Sequence, residues 1–118
     1  MMDRVFWAFG ISNYSSYEKF IADVSENCER IASGNHDWDP DAYVCNGPLK
    51  IEFELMWKDP PDDMLYFDIT EGSEKVTQGI LLFRLNNASF EYFKTDHHKF
   101  FEGLGEYKNG TMYLDTGS

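Results

Sequence analysis

Three aspartates at alternate positions, Asp37, Asp39 and Asp41, are the first residues in the chain whose spacing suggests chemistry. Hard oxygen donors at positions 1, 3 and 5 open a calcium loop, but such a loop also needs glycine at its sixth position and a bidentate acid at its twelfth. Here those places hold Ala42 and Pro48, and Pro40 stiffens the turn, so the run reads as an acidic loop whose Asp side chains cap turns. The only histidines are His36, His97 and His98; with Asp37, Asp96 and Glu102 near them in sequence they could supply a metal ligand or a general base. His97 and His98 are adjacent and point in different directions on a helix or a strand, and no nucleophile or HExxH pattern accompanies them. Cys28 and Cys45 lack a CxxC partner, and Gly103-Leu104-Gly105 lacks the remaining glycine of a dinucleotide site. No catalytic residue, metal or cofactor is therefore assigned.

Charge remains. The chain carries a formal net charge of −11 from 21 acidic and 10 basic residues. Residues 37 to 74 hold eleven acids and two bases, while residues 75 to 118 hold five of each. Such a balance repels nucleic-acid phosphates, which need Lys and Arg to displace their counterions, and favours a basic protein partner. Asp59, Asp62, Asp63, Glu71 and Glu74 join Asp37, Asp39 and Asp41 as the carboxylates of a partner-binding surface. Of two nearby tryptophans, Trp38 lies in a polar loop and reads as the interface anchor, whereas Trp57 alternates with Phe53 and Leu55 and reads as core. The plain alternative is that the acidity serves solubility.

The elements that must position these groups follow from periodicity. Arg4 to Gly10 reads as a first strand buried on both faces. Tyr17, Phe20, Ile21, Val24, Cys28 and Ile31 fall on one helical stripe, with a Ser15–Glu18 capping box before it and Gly34 as its stop. Residues 35 to 48 form a polar connection. Leu49 to Trp57 alternates with Leu49, Ile51, Phe53 and Leu55 on the dry face, the two prolines at 60 and 61 break it, and Leu65, Phe67 and Ile69 resume it, giving an antiparallel hairpin with an acidic tip. The hairpin's apolar face is the expected partner of the helix. Gly79 to Leu85 is a continuous apolar run that reads as a central strand. Residues 88 to 104 fit either a second helix or two strands, and Asn109-Gly110 signals a hairpin leading to a strand with Met112 and Leu114 on one face.

The expected fold is α+β: a mostly antiparallel sheet of five or six strands packed against one long N-terminal helix, in a single domain spanning 1–118. With 42% hydrophobic and 17% aromatic residues the chain has ample material for a core. The absence of a long apolar stretch or a signal-peptide pattern points to the cytoplasm, with both cysteines reduced. Functionally, the pattern suggests a small acidic inhibitor or immunity-type protein that occludes the active site of a basic toxin or nuclease, by analogy of class alone. Two alternatives stand beside it: a small enzyme or ligand-binding domain using His36, His97 or His98, and a structural or adaptor subunit.

Overall fold

The computed structural model describes residues 2–117. It is an α+β arrangement of three helices, a mixed four-stranded sheet and a separate two-stranded ribbon. Helix α1, Tyr17–Ala32, follows the expected stripe: Phe20, Val24 and Cys28 are buried, while Ile31 at the far end is exposed. Its cap is Ser16, one residue later than the expected box, whose hydroxyl accepts from the Lys19 amide at 3.2 Å. Gly34, at φ +66°, takes the left-handed position that ends the helix.

Within residues 35 to 48 the chain forms β1, Tyr43–Asn46, and within the next polar turn it forms β4, Lys75–Thr77; the two pair antiparallel as the ribbon. Both are too short to alternate legibly; Cys45 and Val76, which pair across them, are both buried in the core. The hairpin is present as expected: β2, Leu49–Glu54, pairs antiparallel with β3, Met64–Thr70, and buries Leu49, Ile51, Phe53, Phe67 and Ile69.

The run from Gly79 to Leu85 is not a strand. It lies within helix α2, Gln78–Ala88, capped by Thr77, whose hydroxyl accepts from the Ile80 amide at 3.2 Å. An apolar run of that length has no visible period because the helix is covered on several sides. α2 packs on β3 and on α1; Leu81, Leu82 and Leu85 are fully buried and Phe83 meets Tyr17 and Phe20 edge-on. Helix α1 therefore packs against α2 and the N-terminal segment, where Trp7 and Tyr14 meet Phe20, rather than against the hairpin.

Residues 88 to 104 divide between the two expectations. Phe90–Phe93 is a short helix, α3, and Phe100–Leu104 is a strand, β5. The last strand, β6, Thr111–Gly117, follows the Asn109-Gly110 turn, where both residues have positive φ and Lys108 and Thr111 exchange backbone hydrogen bonds of 2.9 and 3.0 Å. Strand order is β3-β2-β6-β5, antiparallel except for the parallel pair β2·β6. A single antiparallel sheet of five or six strands is thus replaced by a mixed sheet and a ribbon, because α2, α3 and β5 intervene before β6 returns beside β2. The expected first strand also reduces to one bridge, Ala8 to Phe100, flanked by Phe9 N–H to Lys99 O and Phe101 N–H to Trp7 O at 2.9 Å. This contact covers the β5 edge. No helix among the described residues is long and apolar enough to cross a membrane.

Candidate functional site

One face of the four-stranded sheet carries the core, with Ile51, Phe53, Met112 and Leu114 all buried. The opposite face belongs to the alternate residues. Register places Asp68, Lys50 and Thr111 in one row across β3, β2 and β6, and Tyr66, Glu52 and Tyr113 in the next. Two residues further along the same strands come Met64, Glu54 and Asp115. Lys50 is the one cation in these rows; its Nζ lies 3.8 Å from Asp68 and 5.6 Å from the centroid of the Tyr66 ring. Tyr113 stands among carboxylates. Burial first, then the charges of Glu54 and Asp115, a hydrogen bond to Glu54 and the charge of Glu52 all raise its hydroxyl above the ordinary phenol value.

Beyond Glu54 the chain leaves the sheet through Met56 and Trp57, which are 81% and 60% exposed. Trp57 stacks on Tyr92, ring centroids 6.4 Å apart and planes 10° from parallel, so the exposed indole is held in one plane. It borders two surface grooves of about 400 Å³ each. One is lined by Glu91, Tyr92, Asp96 and His97; the other by Phe53, Glu54, Met56, His98, Tyr113 and Asp115. The Asp59–Asp63 loop closes this end of the hairpin, with Asp59 and Asp62 exposed and Asp63 partly buried. The result is an exposed aromatic and methionine pair between two grooves, each holding two carboxylates and one histidine, with Lys58 exposed next to it in the chain.

No family model, no curated protein and no solved structure matches the chain. The site is accordingly read from its own chemistry.

The tryptophans exchange the roles expected of them. Trp38 is 7% exposed and donates its indole N–H to Ser25 Oγ at 2.9 Å; it is core. Trp57 is the exposed one, because β2 ends at Glu54 and, past the buried Leu55, the chain turns out of the sheet and breaks the alternation. The acidic groups also separate. Asp59, Asp62 and Asp63 sit at one end of the β2–β3 hairpin and Glu71 and Glu74 at the other, about 20 Å away at the rise of a seven-residue strand. Glu74 is neutralised by Arg84 at 3.0 Å. Asp37 clamps the N-terminal segment, donating its amide to Arg4 O at 3.0 Å and accepting from the Arg4 amide at 3.1 Å. Asp39 accepts from the Asp41 amide at 3.2 Å and donates its own amide to Gln78 Oε1, so this loop is a turn beside the start of α2.

The histidines lie apart. His36 Nε2 sits 3.3 Å from Glu29 while its Nδ1 accepts from the Trp38 amide, away from the grooves. His97 and His98 line different grooves on either side of Trp57. No group of three or more potential ligands converges on a metal position among the described residues. Glu52, Glu54, Tyr113 and Asp115 were not candidates from sequence, although the wet phase of the alternation in β2 and β6 marks each of them as solvent-facing.

Proposed function

We propose that this chain is a small acidic binding protein that captures a basic protein partner, in the manner of an inhibitor or immunity protein occluding the cationic active site of a toxin or nuclease. The supporting observation is the surface around Trp57: an exposed, oriented indole beside Met56, with Glu54 and Asp115 in one bordering groove, Glu91 and Asp96 in the other, and the exposed Asp59 and Asp62 in the loop that follows. Interfaces of this make-up use the aromatic for buried contact and the charges for encounter rate and register. The carboxylates would pair with Arg and Lys that otherwise hold substrate phosphates. In this reading the Asp37–Asp41 and Glu71–Glu74 groups supply long-range attraction only, since they lie in other parts of the surface.

The test is a pull-down from the native cell or with the product of the adjacent gene, followed by stopped flow with the captured protein across a salt series. The expected outcome is an association rate that falls about tenfold or more between low and high salt. Combined Asp59→Lys and Asp62→Lys should slow association further at low salt. A rate indifferent to both salt and charge reversal would remove the basis for a charge-steered inhibitor.

A further inference from the structure

We propose that the groove between Trp57 and Tyr113 receives an arginine side chain of the basic partner, its guanidinium stacked on an aromatic ring and held by the carboxylates of Glu54 and Asp115. This rests on the binding reading above and goes further by naming the captured side chain and its seat. Four features of the surface converge on it.

The groove has the size, about 400 Å³, and the lining, with Phe53, Met56, Trp57 and Tyr113 supplying apolar wall, Glu54 and Asp115 supplying negative charge, and His98 as the one basic side chain on its wall. The Trp57 ring is already fixed in plane by its stack on Tyr92, so docking a flat cation against it costs little ordering. Glu52, Glu54 and Asp115 enter none of the ion pairs between the described residues, and every charge acting on the Tyr113 hydroxyl is negative. The same sheet face also shows how it treats a cation when one is present: Lys50, on the adjacent strand β2, sits over the Tyr66 ring and beside Asp68 of β3. Tyr113 repeats that tyrosine-and-carboxylate arrangement across Glu52 with no lysine of its own.

Arginine rather than lysine follows from the shape of the site. A planar, weakly hydrated guanidinium stacks on an aromatic face while its N–H groups fork to two carboxylates; an ammonium keeps its water and presents a point charge. A neutral isostere would keep the stack but lose the charge-assisted hydrogen bonds.

The experiment uses the intact protein and three capped tripeptides, Gly-Arg-Gly, Gly-Lys-Gly and Gly-citrulline-Gly, titrated while the indole N–H resonances are followed by NMR. The Trp57 indole signal, assigned from its loss in Trp57→Phe, should shift saturably with the arginine peptide. The lysine peptide should bind about threefold to tenfold more weakly and the citrulline peptide hardly at all. Glu54→Gln with Asp115→Asn should weaken the arginine peptide about tenfold or more, Trp57→Ala should do the same independently, and Glu26→Gln on the far helix should leave it unchanged. Equal binding of the citrulline peptide, indifference to the carboxylate substitutions, or shifts confined to Trp7 and Trp38 would each overturn the seat. A basic protein that binds through the acidic face while the peptide ignores the groove would sink this inference and leave the binding reading standing. An arginine peptide that seats as described, with no basic protein captured, would support the groove and sink the inhibitor reading.

Discussion

Trp38 and Trp57 give opposite expectations for the same substitution. Trp38→Ala empties a buried ring position and orphans Ser25 Oγ, and should cost about 3 to 5 kcal/mol of stability, read as a lower urea midpoint. Trp57→Ala removes a ring already largely in water; its stability in urea should stay within about 1 kcal/mol of the parent, while affinity for the proposed basic partner falls about thirtyfold or more. A titration adds a third residue. Tyr14 donates its hydroxyl to Asp23 Oδ2 at 2.7 Å; burial, that hydrogen bond and the Asp23 charge push its pKa from 10.0 to about 12. A raised folded-state value means that the stabilisation is complete below pH 10.0 and is lost as pH climbs toward about 12. Tyr14→Phe should therefore be less stable than the parent at neutral pH, with the two curves converging by about pH 12 in urea titrations. The same bond holds Asp23 below its ordinary value, so its contribution is present at neutral pH and lost as acid carries the solution through the folded-state value.

At the scale of elements, two short features decide the path of the chain. Thr77 starts α2, and Thr77→Ala should cost about 1 kcal/mol, with Thr77→Ser restoring most of it in thermal unfolding. Gly10, at φ +76°, lets the N-terminal segment cross α3; a Cβ there would stand 2.4 Å from the Phe93 carbonyl carbon, which is backbone and cannot swing aside. Gly10→Ala should leave little soluble folded protein, as judged by expression and circular dichroism. The elements that sequence made legible are those with a period: α1 through its stripe, and β2, β3 and β6 through alternation. α2 was illegible for a physical reason. Leu81, Leu82 and Leu85 are fully buried and Ile80, Phe83 and Arg84 partly so, so no exposed polar side marks the helical turn, and the identical pattern describes a strand covered on both faces. β1 and β4, three or four residues each, exist through their mutual pairing and carry no pattern of their own.

For the molecule as a whole, a formal charge of −11 opposes folding and, in the binding reading proposed above, favours association. Salt screens self-repulsion in the compact state and screens attraction to a cationic partner alike. The urea midpoint should rise modestly with sodium chloride while the association rate falls, and a parallel trend in both would argue that charge does not govern encounter. Composition and local periodicity by themselves determined that the chain folds with a long amphipathic first helix and an alternating hairpin, that its acidity gathers between residues 37 and 74, and that Glu52 and Glu54 face water. Those are short-range properties, written in neighbours two to four residues apart. Only the tertiary structure decided that Tyr113 and Asp115 lie beside Glu52 and Glu54, that the Asp59–Asp63 and Glu71–Glu74 groups occupy opposite ends of a hairpin, and that Trp57 is exposed while Trp38 is core. Strand pairing between residues some sixty positions apart is set by how helices and sheet share one core, and no local pattern encodes it.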